Sequence, residues 1–178
     1  MKISSWFSKM LGTSMTLDNL DNLLVLQLED LRSAEEQLIN ALPKMADAAT
    51  NPELRSAFET HLAETRTHKD RLDEAFRLLG RKPSSESCEA MQGLISEGEE
   101  MIGMQGDSEV KDAALIAAAQ RVEHYEIAGY GCARTFAQRL GQQRIATLLQ
   151  ETLDEEGNAD KILTHIAESW VNAQAAHS

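Results

Sequence analysis

Hydrophobic residues recur at alternating spacings of four and three in four long stretches of the chain, a pattern typical of helices packed in a bundle. The stretches cover about residues 24–49, 52–79, 108–140 and 142–171. Asn51 and Asp107 stand where N-caps are expected for the second and third helices, and Gly80 and Gly141 stand where those helices should end. We therefore predict four long helices.

The segment between the second and third helices has a different composition. Residues 81–107 are punctuated by glycine and serine, with a shorter amphipathic stretch over about residues 86–104. We interpret the segment as a long crossover that contains one short extra helix and joins two helical hairpins. The predicted fold class is all-α, a ferritin-like four-helix bundle over residues 17–175. Residues 1–16 are predicted to form an N-terminal extension, which we expect to be flexible.

The two predicted hairpins align with each other at a single offset of 91 residues, without gaps. The aligned pairs include Leu54 with Ile145, Phe58 with Leu149, Leu72 with Leu163, Glu35 with Glu126 and Glu64 with Glu155. The two halves therefore look like copies of one hairpin, and a pair of such hairpins has the ferritin-like connectivity.

Each long helix carries a glutamate on its predicted inner face, namely Glu35, Glu64, Glu126 and Glu155. Four ionised carboxylates in one core would repel one another and lose their hydration, so they require a compensating charge. Two divalent cations would supply it, since carboxylates together with an imidazole suit iron or manganese. The alternative is a buried network of ion pairs with Arg32, Arg66, Arg71 or Arg121.

The imidazole expected at this site belongs to His68, which follows Glu64 at i, i+4 where i, i+3 is more usual in such bundles. The corresponding position in the second half is Ala159, so Glu156 or Asp160 is expected to compensate for the missing histidine. The predicted metal ligands are Glu35, Glu64, His68, Glu123, Glu126, Glu155 and Asp160.

Four other side chains near the predicted site have more than one interpretation. We interpret His61 and His124 as hydrogen-bonded core or boundary histidines in preference to metal ligands, which is the alternative for each. Tyr125 and Tyr130 flank the site, where they either pack against it or act as redox-active groups. No catalytic residue and no organic cofactor is assigned from the sequence.

Composition and charge exclude some kinds of partner and indicate the compartment. The chain has 17 Lys and Arg against 29 Asp and Glu, a net charge of -12, which argues against a nucleic-acid partner. No stretch approaches the ~18 apolar residues of a membrane span, and the N-terminus lacks the features of a signal peptide, so we expect a cytoplasmic protein without a membrane partner. Cys88 and Cys132 are far apart and are expected to be reduced thiols.

Residues 111–130, KDAALIAAAQRVEHYEIAGY, are the most specific stretch of the sequence. Together with residues 30–38, 61–65, 88–94 and 151–156, they resemble the YciE/YciF-like stress-protein family of ferritin-like bundles, over about residues 17–170. The resemblance implies a rubrerythrin-like bundle, a homodimer, a role in stress responses and a di-metal site.

Two functions remain open at this point, with ferritin-type iron storage as a third. One is a non-haem di-iron or di-manganese oxidoreductase that acts on a small oxidant such as peroxide or dioxygen. The other is a non-catalytic, stress-associated protein that binds metal or serves as a scaffold, as a dimer or with a partner. The sequence does not distinguish iron from manganese, and it shows no substrate motif or electron-donor module.

Overall fold

A computed structural model of the chain describes residues 16–177, and every regular element in that range is helical. The elements are α1 (Leu20–Ala48), α2 (Pro52–Leu78), α3 (Glu89–Gly103), α4 (Ser108–Arg139), α5 (Gln143–Ile166), a π-helical turn (Ala167–Val171) and α6 (Asn172–Ala175). The predicted all-α class is confirmed. Apart from Thr16, the extension predicted over residues 1–16 lies outside the described residues.

Polar caps and glycines set the helix ends, as the sequence predicts. The side chain of Asn51 accepts hydrogen bonds from two backbone N–H groups in the first turn of α2, and Asp107 does the same for α4. Gly80 and Gly141 have φ angles of 65° and 73°, a left-handed conformation that glycine adopts without strain, just beyond α2 and α4.

The first helix begins earlier than the apolar pattern indicates. Asn19 is its N-cap, and its side-chain oxygen accepts a hydrogen bond of 2.8 Å from the backbone N–H of Asn22. The helix therefore starts at Leu20, ahead of the predicted start near residue 24, because a side-chain cap needs no apolar partner.

The long helices pair as two hairpins, α1 with α2 and α4 with α5. In addition, α1 packs against α4 and α2 against α5, so that the four helices enclose one core. The short α3 lies against α1 and α4 and buries Met91 completely. This arrangement is the predicted pair of hairpins with a crossover that contains one short helix.

Apolar side chains form two clusters along the bundle. One includes Leu24, Leu28, Leu72, Phe76, Ala133 and Leu149. The other includes Leu38, Leu42, Leu54, Phe58, Leu115 and Ile166. Buried polar residues lie between the two clusters along every long helix. Apolar burial on both sides, worth roughly 25 cal/mol per Å², therefore holds this polar layer in place.

Gly129 brings α1 and α4 close together near the polar layer. A Cβ atom added at Gly129 would lie 2.8 Å from Cδ2 of Leu31, which is shorter than a normal carbon contact. The absence of a side chain at this position therefore permits the approach of the two helices one turn away from Glu35 and Glu126.

Over residues 16–177, no helix combines the length and the apolar character that crossing a bilayer requires.

Candidate metal centre

Six buried polar side chains form a layer across the four long helices. They are Glu35 on α1, His61 and His68 on α2, Glu123 and Glu126 on α4, and Glu156 on α5. None of these residues is more than 6% exposed. Because an unpaired buried carboxylate costs several kcal/mol or more, such a layer requires compensating charge.

Glu156 lies at the centre of the layer, with one carboxylate oxygen toward each histidine. Its Oε1 atom is 2.9 Å from Nδ1 of His68, and its Oε2 atom is 3.6 Å from Nε2 of His61. The same nitrogen of His68 lies 3.5 Å from Oε1 of Glu35, and that of His61 lies 3.4 Å from Oε1 of Glu123. Glu156 therefore has the placement of a bridging carboxylate.

The six side chains divide into two overlapping groups that share Glu156. Each group offers ligand-type atoms that all lie within 4.8 Å of one another: Glu35, His68 and Glu156 in the first, and His61, Glu123, Glu126 and Glu156 in the second. Spacings of this size leave room for an ion at roughly 2 Å from each nitrogen or oxygen.

Several atoms inside the layer lack a hydrogen bond. Among the described residues, these atoms include both carboxylate oxygens of Glu126 and Glu156, one oxygen each of Glu35 and Glu123, and Nδ1 of His68. His68 and Glu156 are close enough for a hydrogen bond but are not aligned for one. Because buried polar atoms nearly always have partners, unpaired oxygens and nitrogens that converge in this way fit a bound metal ion.

Without a metal ion, the carboxyl groups of the layer bind protons more tightly than usual. Burial raises the pKa of Glu35, Glu123 and Glu126, and the negative charge of Glu156 raises these values further. The neighbouring histidines partly oppose the effect for Glu35 and Glu123. In the metal-free protein these carboxyl groups therefore bind protons that a metal ion would have to displace.

The carboxyl groups of the layer raise the pKa values of both histidines. Burial lowers the pKa of His61, but the nearby carboxylates outweigh this effect and raise it to about 9. Burial also lowers the pKa of His68, whereas the close carboxyl groups of Glu156 and Glu35 raise it to about 10. Both rings are therefore cationic at neutral pH when no metal is bound.

Each histidine also presents its other ring nitrogen to an outer carboxylate. Nε2 of His68 lies 2.9 Å from Oε2 of Glu155, which is also paired with Arg71. Nδ1 of His61 lies 3.4 Å from Oε2 of Glu64. A carboxylate on the outer nitrogen orients the ring and leaves the inner nitrogen free to bind a metal. Hydrogen bonding from Arg71 also lowers the pKa of Glu155 and so keeps that carboxylate ionised.

The two tyrosines have different roles. Tyr130 is fully buried, donates a hydrogen bond to Oε1 of Glu35 and contacts the ring of His68 at its edge. Tyr125 instead donates to Asp30 and lies 3.1 Å from Sγ of Cys88. Only Tyr130 among these two therefore contacts the polar layer directly.

The predicted ligands fall into two sets. The structure places Glu35, His68, Glu123 and Glu126 in the buried layer. It places Glu64 and Glu155 outside the layer, as the outer partners of the two histidines. Asp160 also lies outside, where it accepts a hydrogen bond of 3.0 Å from Gln120 and contacts the exposed His124. Metal binding by any of these residues stays a prediction.

The sequence interpretation gives Glu156 only a compensating role and treats His61 as a hydrogen-bonded histidine, whereas the structure brings both into the layer. The sequence of α2 contains a pattern that indicates the inward position of His61. The stripe Leu54, Phe58, His61, Thr65, His68 and Leu72 alternates by four and three and is entirely buried. Glu64 does not lie on this stripe.

The internal repeat also explains why Glu156 lies in the buried layer. The 91-residue offset aligns Thr65 with Glu156 and His68 with Ala159. The usual Glu-x-x-His spacing is thus divided between the halves, because the first half retains the histidine and the second retains the glutamate. His61, one turn before Thr65, supplies the second imidazole of the layer.

The sequence of this chain is similar to a described protein family and to a protein of Escherichia coli. A family model described as a domain of unknown function, DUF892, matches residues 19–176. Protein YciF of Escherichia coli strain K12 is 44% identical over 162 residues, which cover 90% of this chain and 98% of YciF.

Solved structures of similar proteins have the same fold. The crystal structure of the E. coli stress protein YciF has a TM-score of 0.85 at 44% identity and covers 88% of this chain and 99% of that one. YcfI from Rhodopseudomonas palustris has a TM-score of 0.81 at 43% identity, with coverage of 85% and 97%. A ferritin-like, diiron-carboxylate protein from Bacillus anthracis strain Ames has a TM-score of 0.65 at 16% identity, with coverage of 84% and 99%. The predicted ferritin-like fold is therefore confirmed.

Proposed function

Because this chain belongs to the DUF892 family of YciF-like proteins, as the sequence resemblance predicts, we propose that it is a stress protein whose buried layer binds two divalent metal ions. The observation that carries this proposal is the position of Glu156, which directs one oxygen toward each histidine while both oxygens lack a hydrogen bond. A carboxylate in this position suits a bridge between two ions.

In this proposal each ion has its own ligands besides the shared Glu156. One would be held by Glu35 and His68, and the other by His61, Glu123 and Glu126. Mixed carboxylate and imidazole ligands suit iron or manganese. The negative charge of the carboxylates would then be offset by the ions, which removes the cost of burying these side chains unpaired.

We propose that the centre handles peroxide or dioxygen. Bound iron or manganese would supply one-electron chemistry and affinity for such oxidants. The chain contributes oriented ligands, since Glu155 and Glu64 contact the outer nitrogens of the two histidines. The apolar clusters cover the layer on both sides along the bundle.

A second candidate is a non-catalytic protein that uses the metal for stability and acts as a homodimer or with a partner. The complete burial of Glu35, Glu126 and Glu156 favours it, because ions bound there would stabilise the bundle without any turnover. Sedimentation analysis would test the homodimer. A rise in unfolding temperature with metal but no consumption of peroxide would favour this candidate over the first.

The deciding experiment compares two adjacent glutamates in untagged protein. Glu156→Gln is expected to lose both ions, whereas Glu155→Gln should retain about two ions per chain at saturating iron or manganese, because Glu155 contacts only the outer side of His68. Elemental analysis gives the metal content, and peroxide consumption is measured in parallel. Folded wild-type protein that binds no metal, or equal loss in the two variants, would contradict the proposed site.

A further inference from the structure

A groove between α2 and α5 connects the surface with the buried layer. It has a volume of about 530 Å³, and its walls include Phe58, Ile162 and Ile166. His61 and Glu123, two residues of the proposed metal centre, also line it. Most of its exposed area is apolar, although several polar side chains also line it, and pockets of this size suit small organic ligands.

The groove meets the layer at the point where the two halves of the molecule differ. Ala159 lines the groove and is the repeat counterpart of His68. A histidine at this position would complete a second Glu-x-x-His motif with Glu156. With alanine there, the second half presents only a methyl group beside the layer, which leaves space for a ligand next to His61 and Glu123.

The charges around the groove indicate the kind of ligand it accepts. Glu53, Glu64 and Glu123 all line it, and among its described lining residues there is no lysine or arginine. An anionic ligand would be repelled by the carboxylates of Glu53 and Glu64 at the open side of the groove and by the net charge of -12. The combination of apolar walls and acidic groups therefore favours a neutral molecule.

We propose that this groove binds a neutral organic hydroperoxide, with its O–O head at His61 and Glu123 and its apolar body along Phe58, Ile162 and Ile166. The assignment of a hydroperoxide as substrate rests on the proposed peroxide function. Binding of a neutral molecule of the same shape in the groove does not depend on it, because the walls belong to the chain itself.

The test uses 2-phenyl-2-propanol, the redox-inert alcohol that corresponds to an arylalkyl hydroperoxide, and the anion 2-phenylpropanoate, which has a similar size. Each is titrated into metal-free and metal-loaded protein and followed by NMR. We expect the alcohol to perturb the signals of Ala57, Ile162 and Ile166, and the anion to bind at least tenfold more weakly.

Variants place the binding in the groove. Ile162 is 41% exposed, so Ile162→Ser is expected to fold normally and to weaken alcohol binding roughly five- to tenfold through lost apolar contact. Ala159→Leu fills the space beside the layer and should weaken binding further. The matched control is Leu78→Ser, at an apolar position that is 45% exposed and does not line the groove, and it should bind like wild type.

The outcomes separate this inference from the proposed function. Metal binding and hydrogen peroxide consumption without alcohol binding would overturn the groove assignment and leave the proposed function in place. Alcohol binding in a protein that binds no metal would support the groove and contradict the proposed function. Equal binding of alcohol and anion, or a change in oligomeric mass on Ile162→Ser that shows the groove to be a contact between copies, would overturn the inference.

Discussion

The two histidines of the buried layer lie on the same helix but have different surroundings. Nε2 of His68 lies 2.9 Å from Glu155, which Arg71 also holds. Nδ1 of His61 lies 3.4 Å from Glu64, which lines the open groove between α2 and α5. A hydrogen-bonded and ion-paired outer partner makes a ring rigid, so the His68 side is suited to holding a metal ion. The His61 side is suited to admitting a ligand.

The largest expected difference between the two sides is in stability. We expect His68→Ala to lower the free energy of unfolding of the metal-loaded protein by about 3–5 kcal/mol, because it leaves buried Glu35 and Glu156 without their cationic or ligand partner. The matched variant His61→Ala should cost less, since His61 lies 3.4 Å from Glu123 and 3.6 Å from Glu156, whereas His68 lies 2.9 Å from Glu156. Urea unfolding measures both, and a greater loss for His61→Ala would refute the comparison.

The pH dependence of the metal-free protein should also separate the two sides. The pKa values of His61 and His68 are raised in the folded state to about 9 and about 10, from an ordinary value of 6.5. Above pH 6.5 the unfolded chain loses these protons while the folded chain keeps them, so stability should fall as pH rises, by up to about 1.4 kcal/mol per pH unit for each histidine.

This loss should continue to about pH 9 for His61 and to about pH 10 for His68. Unfolding of metal-free protein between pH 6.5 and 10 measures it, with each His→Ala variant removing its own part of the slope. Metal-loaded protein is the control, because its ligands are already deprotonated and the slope should disappear. A metal-free protein that gains stability over this range would contradict the expected protonation.

The two outer carboxylates provide a smaller and more specific comparison. Glu155→Gln is expected to weaken metal binding by about 10- to 100-fold, because the ring of His68 loses an ionised hydrogen-bond acceptor. Glu64→Gln should have a weaker effect, since its contact with His61 is longer, at 3.4 Å. Competition with a coloured chelator gives both affinities. Equal effects would show that Arg71 adds nothing to the orientation of His68.

The smallest expected effect concerns a hydroxyl group on the His68 side alone. Tyr130→Phe removes the hydrogen bond to Glu35 and should lower the free energy of unfolding by about 1 kcal/mol and weaken metal binding slightly. Tyr125→Phe is the matched control, because its hydroxyl donates to Asp30 and not to the layer. Equal metal affinities in the two variants would show that Tyr130 does not help to position Glu35.

Helix number, helix ends and the internal repeat follow from the amino-acid sequence alone. Alternating apolar spacings, the caps Asn51 and Asp107 and the glycines at positions 80 and 141 act over one or two turns, so they can be recognised without knowing the tertiary structure. The inward placement of Glu35 and Glu126 also follows, because each stands at the expected step of an apolar stripe.

Only the tertiary structure distinguishes Glu156 from Glu155. Helix α5 carries two overlapping stripes that both alternate by four and three and that share Thr152 and Ala159. Besides these two residues, one stripe contains Leu148, Glu155 and Ile162, and the other contains Ile145, Leu149, Glu156, Leu163 and Ile166. Packing against α2 and α4 buries the second stripe and leaves Ile162 41% exposed and Glu155 with Arg71. Adjacent helix positions differ by a rotation of about 100° around the helix axis, which separates the inner Glu156 from the outer Glu155. Packing between helices sets the orientation of α5 about its axis and therefore decides which of the two faces inward.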